Sequence, residues 1–193
     1  MSISEIKRLK IEEIIDKYLP KGSMMWSYYL PHVESVKKKA LAICDKNPHL
    51  QADRALVEAG AMLHDIGICR VFAPEIGCYG DAPYIRHGIL GAEIVRQEGW
   101  DEIAPFCENH VGVGVTKADI IRQHLALPER DMIPQTIEQK IVAFADMFFS
   151  KSQNHLTTPK PIEKIHRSLL KYGADKIEVF NQWCELFGEG NSL

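Results

Sequence analysis

Leu56-Val57-Glu58-Ala59-Gly60-Ala61-Met62-Leu63-His64-Asp65-Ile66-Gly67 is an apolar run of helical spacing that stops on two adjacent polar residues. Leu56, Gly60 and His64 recur at intervals of four, so they share one helix face, and the glycine lets another backbone or a ligand approach closely. Asp65 is turned by about 100° from His64, so both reach one point only near the helix end. Gly67 marks that end, and the stretch reads as a helix over about 53–66.

The same spacing runs through nearly the whole chain, with no convincing period-two alternation between turn signals, so the fold class is all-α. Further helices are expected at about 2–18, with Ser2 and Glu5 spaced as a capping box, and from Pro31 in a first turn to about 45. Others fall at about 86–97, 101–110, 117–125, 135–151, 161–172 and 174–187, with Thr116 and Asp119 resembling a second capping box. Between them, 68–84 holds Pro74, Gly77, Gly80 and Pro83 and reads as an irregular loop of functional length. A single domain is expected over residues 1–193, with a core at about 23–152, the N-terminal helix packed on it, and a C-terminal helical pair over 153–193. Phe180, Trp183 and Phe187 in that pair are spaced as core or as a dimer surface.

With 46% hydrophobic and 25% charged residues the composition is that of a soluble globular protein. A net charge of -3 and one short basic run, Lys37-Lys38-Lys39, argue against a nucleic-acid duplex as partner, since counterion release needs clustered cations. Five cysteines without Cys-x-x-Cys spacing disfavour a disulfide framework and a zinc knuckle and fit a reducing cytoplasm. No export signal and no membrane-length apolar stretch is seen.

Six residues stand where chemistry is expected: His32, His64, Asp65, His87, His110 and Asp146. His87 heads the stripe Leu90, Gly91, Ile94, Val95; His110 closes Ile103, Phe106, Cys107; His32 precedes Val36 and Ala40; Asp146 sits among Val142, Ala145 and Phe149. A carboxylate on such a face costs several kcal/mol to bury without partners, and a metal ion compensates. Imidazole nitrogens and carboxylate oxygens without thiolates suit one or two divalent transition ions, Fe, Mn, Co, Ni or Zn. His166, among Ile162, Ile165, Leu169 and Leu170, has no ligand-type neighbour and reads as a packing residue; His49, His124 and His155 have no chemical case.

His32, then His64-Asp65-Ile66-Gly67, then Asp146 resembles the H…HD…D signature of the HD-domain metal-dependent phosphohydrolases, in its HDIG form. With His87 and His110 added, the pattern is similar to the two-metal H…HD…H…H…D subset. That subset includes cyclic-dinucleotide phosphodiesterases and symmetrical diadenosine tetraphosphate hydrolases. Arg86-His87-Gly88-Ile89-Leu90-Gly91-Ala92-Glu93 and His110-Val111-Gly112-Val113-Gly114-Val115-Thr116 also resemble small archaeal and bacterial HDIG proteins. The likeness spans about residues 31–151 and implies a compact helical bundle. It implies that His32, His64, Asp65 and Asp146 hold one ion and that Asp65, His87 and His110 hold a second. Many two-metal members carry a lysine directly after HD-x-G, where this chain has Ile68, and the Gly-Tyr-Pro element of the cyclic-dinucleotide group is absent.

The function implied is hydrolysis of a phosphate ester, on a nucleotide or similar small metabolite, by a metal-activated water that Asp65 orients. Arg70, Lys117 and Lys151 are the candidate phosphate-binding cations, and the 68–84 loop, with Tyr79 and Tyr84, the candidate specificity element. Two alternatives share the ligand set: a diiron oxygenase, which Ile68 weakens, and a non-catalytic ligand-binding protein. A homo-oligomer is compatible with the sequence.

Overall fold

Asp53 starts the decisive helix, because its carboxylate accepts hydrogen bonds from the backbone N–H groups of Ala55 and Leu56 at 2.9 and 3.1 Å. The helix runs Arg54–Leu63 and stops before the two polar residues. The structure, a computed structural model, describes residues 3–189, so the Ser2 half of the expected N-terminal capping box lies outside the described residues.

Among the described residues there are nine α-helices: α1 (Ile3–Tyr18), α2 (Met24–Lys46), α3 (Arg54–Leu63), α4 (His87–Gln97), α5 (Ala104–Glu108), α6 (Lys117–Gln123), α7 (Ile137–Met147), α8 (Ile162–Leu170) and α9 (Ala174–Phe187). The fold is an all-α bundle. α2, α3 and α7 pack on one another at its centre, α1 lies against α3, and α4 packs on α5 and on the 3-10 turn Ile66–Arg70. α9 closes on α7 through Phe180 and Phe187, whose rings lie 5.4 and 5.1 Å from that of Phe144. With Trp183 they are buried, so this stripe is core. Among the described residues no helix is long and apolar enough to cross a membrane.

Three expectations change. α2 begins at Met24, not at Pro31: Ser23 caps it by accepting from the Trp26 N–H at 3.1 Å, and Pro31 sits inside the helix. An interior proline costs about 3 kcal/mol. That cost is offset because the preceding turn seats Tyr29, fully buried, with its hydroxyl donating to the Met62 carbonyl at 2.6 Å. Gly67 does not stop α3, which ends four residues earlier. A Cβ there would stand 2.0 Å from the His87 carbonyl oxygen and 2.4 Å from the Gly91 nitrogen, so Gly67 lets the 3-10 turn press against α4. At Gly60 the close neighbour is neither backbone nor ligand but the ring of Phe106, 2.3 Å from a built Cβ.

The 68–84 loop is more ordered than its composition indicates. β1 (Phe72–Ala73) and β2 (Cys78–Tyr79) form an antiparallel ladder with Phe72 opposite Tyr79. Two residues per strand are too few for alternation to register in a sequence. The capping box at Thr116 and Asp119 is present at the start of α6.

Candidate metal centre

The α3 terminus delivers His64 and Asp65 to a point where four other segments converge. His32 comes from the buried face of α2 and Asp146 from the last turn of α7. His87 is the first residue of α4, and His110 follows the short α5. Ligand-type atoms of His32, His64, Asp65 and Asp146 lie within 4.8 Å of one another, and those of Asp65, His87 and His110 do the same. Apart from Asp146, which is part-exposed, the six are buried.

Asp65 divides its oxygens between the groups. Oδ2 is 3.1 Å from His32 Nε2 and 3.2 Å from His64 Nε2, whereas Oδ1 is 3.3 Å from His87 Nε2 and 3.5 Å from His110 Nε2. Asp146 Oδ1 lies 3.1 Å from His32 Nε2 and 3.5 Å from His64 Nε2.

Three of the rings are oriented by their own backbone. The Nδ1–H groups of His64, His87 and His110 donate to the carbonyls of Ala61, Tyr84 and Cys107, each three residues back, at 2.8, 2.7 and 2.7 Å. A neutral imidazole that donates through Nδ1 carries its lone pair on Nε2. His87 and His110 therefore aim two lone pairs at each other across 3.0 Å. That contact is repulsive unless a proton or a metal cation lies between the two nitrogens. His32 Nε2, His64 Nε2 and Asp65 Oδ1 are likewise buried without a hydrogen-bond partner among the described residues. Buried polar atoms are rarely left so, and this set fits a divalent ion with nitrogen and oxygen ligands.

The charges respond to the same crowding. Burial disfavours the charged form of Asp65, yet the Lys151 ammonium and His64 outweigh it and hold the carboxyl well below the usual range. Asp146 is held down in the same way by its contacts with His32 and His64. Burial opposes protonation of His64, but Asp65 and Asp146 drive it up to about 10. His87, where burial prevails over the attraction of Asp65, falls to about 4.

The three candidate cations part company. Lys151, just beyond α7, donates to Asp65 Oδ2 and to the Tyr84 hydroxyl, the latter at 3.1 Å. Arg70 turns to α4, 3.4 Å from Glu93 and 3.2 Å from the Gln97 side-chain oxygen Oε1, and Lys117 is exposed 3.8 Å from Glu129. A cavity of about 200 Å³ over the cluster is lined by Lys151 and Tyr84 but by neither of those two. Tyr84 packs 4.8 Å from the His87 ring, while Tyr79 stands exposed on the hairpin. His166 Nε2 donates to the Asn181 side-chain oxygen at 2.8 Å, away from the cluster.

A family model described as HD domain matches residues 29–149. A tRNA (cytidine(56)-2'-O)-methyltransferase of Thermoplasma volcanium is 35% identical over 157 residues, 81% of this chain but 41% of that protein. One of the same name from Picrophilus torridus is 42% identical over 120 residues, 62% of this chain and 30% of the relative. An uncharacterized protein of Methanocaldococcus jannaschii is 43% identical over 107 residues, 55% of this chain and 56% of its own length. The chain thus spans between about a third and a little over half of these relatives. No solved structure matches significantly. The methyltransferase names correct the partner expectation of a small nucleotide and no nucleic-acid duplex: relatives of this chain are named for action on tRNA. The net charge that carried the exclusion averages over the whole surface and is blind to cations gathered in one cavity.

Proposed function

Because the chain belongs to the HD-domain family, we propose that it is a metal-dependent phosphohydrolase whose substrate phosphate is carried by RNA. The observation that supports this best is the division of Asp65, with Oδ2 toward His32 and His64 and Oδ1 toward His87 and His110. Such a carboxylate suits two ions that share it. His32, His64, Asp65 and Asp146 would hold one and Asp65, His87 and His110 the other, drawn from Fe, Mn, Co, Ni or Zn. Bound there, the ions would polarise phosphoryl oxygens and lower the pKa of a water toward neutrality.

The chain's own groups do the rest. Asp65, the candidate catalytic residue, is common to the two ligand groups and through them would orient the attacking water. Lys151 Nζ and the Tyr84 hydroxyl line the cavity together and supply donors for the phosphoryl oxygens. Lys151 brings a positive charge to Asp65, while Ile68, which stands at the position after HD-x-G, is fully buried. The relatives named as tRNA methyltransferases support RNA as the carrier. Their methyl-transfer activity belongs to proteins more than twice the matched length, so it is not assigned to this chain.

Loading the protein with Mn or Fe and offering oligoribonucleotides with terminal phosphates, cyclic ends or internal phosphodiesters tests the reading. Release of phosphate or chain cleavage is expected. No turnover with any of the five metals would overturn it, and turnover confined to free mononucleotides would overturn the RNA assignment.

A further inference from the structure

A second cavity, of about 350 Å³, opens beside the first between the end of α7, the 148–160 segment and α8. The two share Gly112, Asp146, Phe149 and Ser150 in their walls, so they meet at the metal-cluster carboxylate. The polar lining of the second is one-sided in charge. Ser150, Ser152, His155, Lys160, Lys164 and Ser168 face it, and its one carboxylate is Asp146.

Lys160 is half-buried between Pro159 and Pro161, and its backbone N–H donates to the Phe148 carbonyl at 2.6 Å. The prolines restrict the backbone on either side, so this ammonium is carried on a stiff segment. Burial pushes its pKa down. Lys164 donates to His155 Nε2 at 2.8 Å, and His155 in turn donates through Nδ1 to the Thr158 carbonyl at 3.3 Å. Neither lysine has a carboxylate within ion-pair distance among the described residues. Lys160, the half-buried one, is partly desolvated, and such cations are seldom left without a counter-ion; Lys164 is exposed. Hydroxyls beside them complete a set of donors suited to phosphate oxygens.

We propose that this cavity is an anion subsite, built by Lys160, Lys164 and the serine hydroxyls with His155 holding Lys164 in place, that takes a second phosphate of the substrate while the first sits at the metal cluster. The proposal rests on the phosphohydrolase reading and deepens it: the substrate carries two phosphates one nucleoside apart. A backbone phosphate of an RNA strand and the second phosphate of a free nucleoside 3′,5′-bisphosphate share that chemistry.

Direct binding to the metal-loaded protein tests the subsite without requiring turnover. The probes are a nucleoside 5′-monophosphate, a nucleoside 3′,5′-bisphosphate and a 5′-phosphorylated trinucleotide, each titrated calorimetrically on wild type, Lys160→Ala, Lys164→Ala and Lys160→Arg. The wild type is expected to bind the two-phosphate probes at least tenfold more tightly than the monophosphate. That advantage should fall below about threefold in either alanine variant and return in the arginine variant. A gain for the trinucleotide supports the subsite and assigns it to RNA, whereas a gain confined to the bisphosphate supports it and assigns it to a free nucleotide. Equal affinity for all three probes in the wild type, or an advantage that survives both alanine changes in folded protein, would overturn it. Failure of the hydrolase reading shows separately, as tight two-phosphate binding without turnover.

Discussion

Lys151 Nζ donates to Asp65 Oδ2, the same carboxylate oxygen that lies 3.1 Å from His32 Nε2 and 3.2 Å from His64 Nε2. An ammonium thus stands on the oxygen that an ion in the His32 group would need. The two cations compete, and an incoming ion must displace the lysine toward the cavity. Lys151→Met is therefore expected to tighten divalent binding several-fold, seen in equilibrium dialysis, while lowering kcat by tenfold or more. Weaker metal binding in the variant would contradict the competition.

Asp65 is the one residue common to both ligand groups. Asp65→Asn should lose both ions, whereas the double change His87→Ala and His110→Ala should keep one. Metal content per chain, measured by plasma emission on folded protein, separates the outcomes. Loss of both ions from the double variant would contradict separate sites.

The metal-free protein keeps a proton on His64, whose pKa is raised to about 10. An ion needs the Nε2 lone pair, so binding must expel that proton. Apparent metal affinity should rise with pH, by roughly tenfold per unit while one proton leaves per ion. The sign for the metal-free fold is opposite: the raised pKa favours folding most below the unfolded value of about 6.5 and loses that contribution as pH climbs toward 10. Titrations in buffers of different ionisation enthalpy would count the released proton.

Away from the cluster, Lys176 of α9 donates to Asp119 of α6 at 2.5 Å, and Asp119 also accepts from the Thr116 backbone and hydroxyl. Burial alone would raise the carboxyl, but these donors hold it at about 2. The depressed value stabilises the fold above pH ~4 by about 2 kcal/mol, and that contribution disappears as pH falls from 4 toward 2. Asp119→Asn should lose that stability at pH 6 and converge on wild type near pH 2 in urea melts.

Gly67→Ala places a methyl 2.0 Å from the His87 carbonyl oxygen. Backbone cannot yield there as a side chain would, so a loss of about 3 kcal/mol is expected. Gly60→Ala meets only the Phe106 ring and should cost less. Thermal melts of the two variants make the comparison.

The helical spacing and the ligand order were legible because both are local: stripes of period 3.6 show on a single helix, and His64-Asp65 marks its own helix end. Pro31 misled because a proline's preference for first turns is a local rule, and the burial of Tyr29 overrides it from outside. Which of Arg70, Lys117 and Lys151 supplies the charge missing at Ile68 was not readable, since Lys151 reaches Asp65 across 86 residues of sequence. His155 looked inert for the same reason. Its significance comes from Lys164 and from a cavity wall shared with Asp146, and neither relationship exists until the chain has folded.

The three Nδ1 anchors on the carbonyls of Ala61, Tyr84 and Cys107 have a consequence for which element occupies the cluster. Rings held by their own backbone are set before any ion arrives, so an ion would bind with little rearrangement of the side chains, and one whose preferred geometry departs from the preset nest would be held less well.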